Sequence, residues 1–127
     1  MSKKKPPKVK IERIDLDENT STSRFGYVYS TTKLIEHSKK YKVFDMPLAG
    51  FSLAMGCWEI NNYEDFIHHM NRCKEADLQY PILLDDYGDV ADGRHRMCKA
   101  ILEGHRTIKT IRLETMPPHD RVVKKED

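Results

Sequence analysis

Asp92-Gly93-Arg94-His95-Arg96 puts a carboxylate, a glycine, two guanidiniums and an imidazole in five consecutive positions, and Lys99 follows one turn after His95. A short apolar run leads into Asp92-Gly93, and a helix-like stretch over 94–103 closes at Gly104. A helix N-terminus carries partial positive charge, so cations crowded there are unfavourable unless an anion joins them. Gly93 can turn the backbone so that successive N–H groups point outward, and the helix start adds favourable potential for an anion. Arg94 or Arg96 can grip two phosphate oxygens in a planar fork. His95 can donate a hydrogen bond or move a proton near neutral pH, and Lys99 adds a cation on the same face. Asp92 can serve as base or metal anchor. The same residues also read as a solvated turn whose arginines pair with Asp85, Asp86 or Asp89.

Other groups could join this chemistry. His69 and Arg72 lie three apart on a predicted helix, opposite a Phe66/Met70/Cys73 face, and could give a second phosphate contact; an ordinary charged helix face explains them equally. Asp77, at the end of that helix, could accept a substrate proton or hold Mg²⁺, or could be a plain helix-end polar residue. The DDYGD run fails the spacing of a calcium loop and reads as a turn. His68 and His69 are adjacent and diverge on a helix, no H-E-x-x-H occurs, and no resident metal site is expected. Trp58, near Phe51 and Tyr63, could stack on a base or sit in the core.

The elements that must position these groups can be read from the pattern. Val9–Asp17 alternates imperfectly and predicts a first strand. Residues 29–41 predict a short helix capped at Ser30 or Thr32, with Leu34, Ile35 and Tyr41 inward. Residues 42–62 are broken by Pro47, Gly50 and Gly56, which predicts a short strand and then irregular chain. Asn62 caps the next helix, whose early acids are Glu64 and Asp65. Residues 81–92 read as strand, turn, strand, with the reversal at Asp86-Tyr87-Gly88. Ile108, Ile111 and Leu113 mark a last strand. The domain organisation expected is a flexible Lys-rich tail over 1–8, one domain over 9–116, and a disordered tail over 117–127.

The chain has 127 residues, 39% hydrophobic and 33% charged, which suits one globular domain with a modest core. No run is long enough to cross a membrane and no apolar leader is seen, so no membrane contact is expected. Cys57, Cys73 and Cys98 are odd in number and lack C-x-x-C spacing, which points to a reducing, cytoplasmic setting. The net charge is +2, but residues 1–10 hold five lysines and no acid, leaving the remainder at −3. Such a body lacks the footprint of a duplex-DNA binder, although the lysine-rich start could touch nucleic acid weakly.

The stretch PILLDDYGDVADGRHRMCKAILEGHRTIKTIRL, over 81–113, resembles the core of the ParB/sulfiredoxin superfamily. It has an apolar strand, a reversal, a second strand, a Gly-x-His-Arg loop opening a helix, a glycine and a final strand. The likeness covers about residues 64–115 and is closest to the Asp-Gly-x-His-Arg version found in free serine kinases and small ParB-like proteins. It implies an α/β (α+β) fold, a compact single domain with a small mixed sheet and flanking helices. It also implies a loop that binds nucleotide phosphates, with ATP, ADP or a similar nucleotide as cofactor and Mg²⁺ as its companion ion. Sulfiredoxins place a reactive cysteine where Arg94 stands, so sulfinic acid reduction is not expected. No helix-turn-helix follows the loop, so site-specific DNA binding is not expected either.

The function expected is therefore binding of a nucleotide or other phosphate-bearing small molecule, with phosphoryl transfer or nucleotide hydrolysis at the loop. The enzyme would be a small-molecule kinase or a nucleotide phosphohydrolase. Asp92, His95 and Asp77 are the candidate catalytic residues, and Gly93, Arg94, His95, Arg96, Lys99, His69 and Arg72 the candidate ligand contacts. The alternative is a non-catalytic regulatory protein that contacts a protein or nucleic-acid partner.

Overall fold

Ile82-Leu83-Leu84 has no polar position, so a strand built from it must be covered on both faces. In the computed structural model, which describes residues 5–10 and 20–123, this run is the most buried strand of the molecule. In chain order the elements are β1 (Thr20–Thr22), β2 (Tyr27–Ser30), α1 (Thr31–Ser38), β3 (Phe44–Pro47), a 3₁₀ turn at Leu48–Gly50, α2 (Tyr63–Glu75), β4 (Ile82–Leu84), β5 (Val90–Asp92), α3 (Arg94–Leu102), β6 (Thr107–Arg112) and β7 (Arg121–Val122). The fold is thus α+β, as the sequence predicts. The strand expected over Val9–Asp17 lies outside the described residues apart from Val9 and Lys10, which are exposed and irregular.

Two sheets organise the chain. One has the order β3-β6-β4-β5, with β4 parallel to β6 and the other pairs antiparallel. The other is antiparallel with the order β1-β2-β7. Alternation along β4 sends Leu83 to one face, with Tyr29, Leu34, Ile111 and Leu113. Ile82 and Leu84 go to the other, with Leu48, Ala100 and Ile108. Helix α3 therefore covers one side of the sheet, and α1 with β2 covers the other.

Three expectations are corrected. Ile35 faces solvent, at 46% exposure, whereas Leu34 is fully buried. Helix α2 starts at its Asn62 cap, whose Oδ1 accepts the Asp65 N–H at 2.8 Å, but it is turned from the predicted face. His68, His69 and Cys73 are buried, while Phe66 is 49% exposed. The difference is about one residue of rotation, and its cause is the partner: α2 packs on the polar first turn of α3, not on an aliphatic wall. Residues 119–123, expected as disordered tail, instead return to the β1-β2 sheet. There β7 pairs with β2, Asp120 accepts the Ser30 N–H and pairs with Lys33 at 2.7 Å, and His119 stacks on Tyr27. Gly26 permits this approach, since a Cβ there would lie 2.6 Å from the Val123 carbonyl oxygen. Among the described residues no helix is long and apolar enough to cross a membrane.

The junction of β5 and α3 is as tight as the approach at Gly26. Gly93 sits at φ +101°, and a Cβ would lie 2.6 Å from Ile82 Cγ2 and 2.9 Å from an Arg96 guanidinium nitrogen. Gly93→Ala should lower unfolding free energy by about 2–4 kcal/mol, from left-handed strain plus a clash with a core side chain, as read by urea denaturation.

Candidate functional site

Helix α3 begins at once after the left-handed Gly93, whose carbonyl accepts the Met97 N–H at 2.9 Å. No acid lies in its first turn and no side chain caps it. The three residues that follow Gly93 point in different directions, as 100° per residue requires. Arg94 is exposed, lines a cavity and makes no ion pair among the described residues. Arg96 folds back onto Asp92 at 2.9 Å, with the two side chains 19% and 27% exposed. His95 turns toward α2.

The remaining charges mostly have structural partners. Arg24 grips Asp89 with two bonds of 2.7 Å and lies over the Tyr87 ring. Asp85 is buried, and its Oδ1 accepts the N–H groups of Tyr87, Gly88 and Asp89, which fixes the β4–β5 turn. Burial raises the Asp85 carboxyl above its ordinary value even so. Lys99 donates to the carbonyls of Lys74 at 3.0 Å and Ala76 at 2.7 Å, satisfying the C-terminal end of α2. Asp77 is exposed and uses Oδ1 to accept the Gln79 N–H, outside the residues that line the cavity. Of the predicted site residues, Arg96, Asp92, Lys99 and Asp77 are thus engaged in holding the fold, where phosphate contact, base or metal anchor was expected. The carboxylates do not gather for a cation either: among the described residues no group of three or more His, Cys, Asp or Glu is placed to hold one.

His95, His69 and Arg72 do come together. The His69 Nδ1 and His95 Nε2 atoms are 3.0 Å apart in a hydrogen bond, with the two rings tilted by only 13°. Trp58 lies flat on both, 4.3 Å from His95 and 4.5 Å from His69 between ring centres. His68 meets His69 edge-on. Burial above all, and then the nearby Arg72 guanidinium and the other histidines, push His95 down to about 4. The ring is neutral at pH 7. One ring nitrogen of the pair donates and the other accepts, so the pair holds a single shared proton between its facing nitrogens.

The cavity beside this cluster has a volume of about 530 Å³. Its lining includes the apolar side chains of Met46, Phe51, Met97 and Met116, the polar Arg94 and Asp85, and Trp58, which stacks on the histidines. Sequence reasoning missed Asp85 as a buried carboxylate and missed the pairing of the histidines. The latter was detectable only in the presence of His69 and His95 on two helices that must both pack near Trp58. Comparisons with protein-family models, characterised proteins and solved structures find no match to this chain.

Two outcomes follow. Arg96→Ala should lower stability by about 1–2 kcal/mol, because it removes a largely buried partner of Asp92; thermal and urea unfolding of the ligand-free variant would show it. His95 titrates near 4 when folded and near 6.5 when unfolded, so the unfolded chain binds more protons between these values. Its contribution is complete above pH 6.5 and is lost as pH falls toward 4. The loss should be about 1–2 kcal/mol for this partly screened ring, and His95→Asn should remove that part of the slope.

Proposed function

We propose that the chain binds a phosphate-bearing small molecule, a nucleotide or a similar phosphate ester, in the cavity at the start of α3. The observation that carries this reading is the cavity's mixed lining. It combines Arg94, in the first turn of α3, with the apolar side chains of Met46, Phe51 and Met97. A phosphate suits the guanidinium and the helix start, and an apolar or aromatic moiety suits the other side chains. The volume of about 530 Å³ is that of a ligand pocket of this class. Asp89 adds little repulsion because Arg24 neutralises it in two bonds. The succession β4, turn, β5, Gly93, α3, β6 supports the same reading, since the likeness to ParB-like phosphate binders rests on that pattern.

Turnover of the bound ester, by transfer to a hydroxyl compound or to water, is the enzymatic form of this proposal. Catalysis would rest on charge neutralisation by Arg94 and by the first N–H groups of α3. The non-catalytic form is favoured by one observation: Asp92 and Asp77, the expected bases, already hold other partners. Mg²⁺ has no cluster of protein ligands to anchor it among the described residues, so no step is routed through it.

A thermal-shift series with nucleoside mono-, di- and triphosphates and with pyrophosphate, with and without Mg²⁺, tests binding. Arg94→Ala should leave the melting temperature nearly unchanged, as expected for an exposed and unpaired side chain. It should weaken phosphate-ligand affinity about tenfold or more, the size of one charge-assisted contact. A panel with no shift, or a variant with wild-type affinity, would sink the reading. Phosphate release from the ligands that bind then separates an enzyme from a binding protein.

A further inference from the structure

Trp58 belongs to the segment Phe51–Asn61, which forms no helix or strand. Residues 52–57 and 59–61 are exposed, and residues 52–60 make no backbone hydrogen bond to other described residues. The segment is therefore a strap, fixed at its ends by Phe51 on the core and by the Asn61 N–H on Asp65, and held between them by the Trp58 ring. That ring sits on an unusual support. The hydrogen bond between His69 and His95 joins two imidazoles into one flat surface, tilted by 13° across the pair. Indole lies parallel to both halves, within 17°, at 4.3 and 4.5 Å. A bicyclic ring covers the two imidazoles together, as a one-ring aromatic would not. Both imidazoles are held in place from behind: His69 is 2% exposed on α2, and His95 belongs to the first turn of α3.

We propose that the His69–His95 surface is the stacking site for the purine ring of the ligand, and that Trp58 occupies it as a placeholder in the free protein. This rests on the phosphate-ester reading and extends it by naming the ligand's other half. The two halves fall within reach of one molecule. Arg94 and His95 are adjacent in the first turn of α3, and Arg94 and Trp58 line the same cavity. A purine nucleotide with its phosphate at Arg94 would set its base against the histidine pair and push the strap outward. Base stacking on flat rings tolerates such exchange, because indole and purine present similar faces.

Trp58 is the only tryptophan, so its emission reports this stack directly. With excitation at 295 nm, titration with ADP, ATP and GTP should move the emission to the red, toward that of water-exposed indole. Pyrophosphate and ribose 5-phosphate should raise the melting temperature and leave the emission where it was. Trp58→Ala should bind ADP about threefold or more tightly, because it has no internal competitor, with pyrophosphate affinity unchanged. Trp58→Phe, which keeps a smaller ring and the strap's packing, should gain less. Purine nucleotides that raise the melting temperature without moving the emission would overturn the placeholder and leave the phosphate site standing. Weaker ADP binding by both variants would likewise overturn it, by making Trp58 part of the base site. If neither nucleotides nor pyrophosphate shift the melting temperature, the phosphate reading falls and the base site with it.

Discussion

A single left-handed residue lets β5 turn into α3 while both remain pressed against β4. At Gly93 the backbone runs so close to Ile82 that no side chain fits between them. Because the helix starts there and nowhere else, the directions of the next three residues are set by helical geometry. Arg94 reaches the cavity, His95 meets α2, and Arg96 turns back to Asp92. One residue more in the loop would redirect every one of these side chains. The core packing of Ile82 and the geometry of the candidate site are therefore the same constraint, seen from two sides.

Electrostatics explains how the fold tolerates so many cations at a helix start. Arg96 is compensated by Asp92, four residues before it. Lys99 is compensated at the far end of another helix, where two carbonyls of α2 would otherwise lack donors. His95 carries no charge, because burial and the neighbouring guanidinium hold it neutral. Arg94 alone of this group stays exposed beside the helix dipole with no ion pair among the described residues. An anion drawn to α3 would meet one guanidinium without an ion pair among the described residues, not a cluster of cations.

How much of this was readable from residues alone differs by kind of signal. The β4–turn–β5–Gly93–α3–β6 succession was legible because its punctuation is local: an apolar run, a turn, a glycine and a closing glycine. The Asn62 cap was legible for the same reason. The inward face of α2 was not, since aliphatic periodicity pointed to Phe66 and Met70, whereas the face is chosen by contacts with His95, far away in the chain, and with Trp58 in irregular chain. The partners of Arg96 and Lys99 were obscured similarly. A basic side chain near a helix start reads alike whether it waits for a ligand or closes an internal carbonyl. Strand β7 was hidden because a two-residue strand with Pro117, Pro118 and five charged neighbours resembles a polar tail, and only the open edge of β2 gives it a role.

The bond pair from Lys99 to the end of α2 also sets how the molecule can come apart. Its ammonium group, carried on α3, closes the last carbonyls of α2, so that helix cannot fray at its C-terminus without releasing a cation from its neighbour. The bond pair couples the two helices, and their amide protons should exchange with solvent together. The β1-β2-β7 sheet is fastened to the β4–β5 turn through Arg24, in its hairpin, and Asp89. Breathing of that sheet can thus open the far wall of the cavity while the α2–α3 unit keeps its histidines in register, a separation of mobile rim from rigid floor.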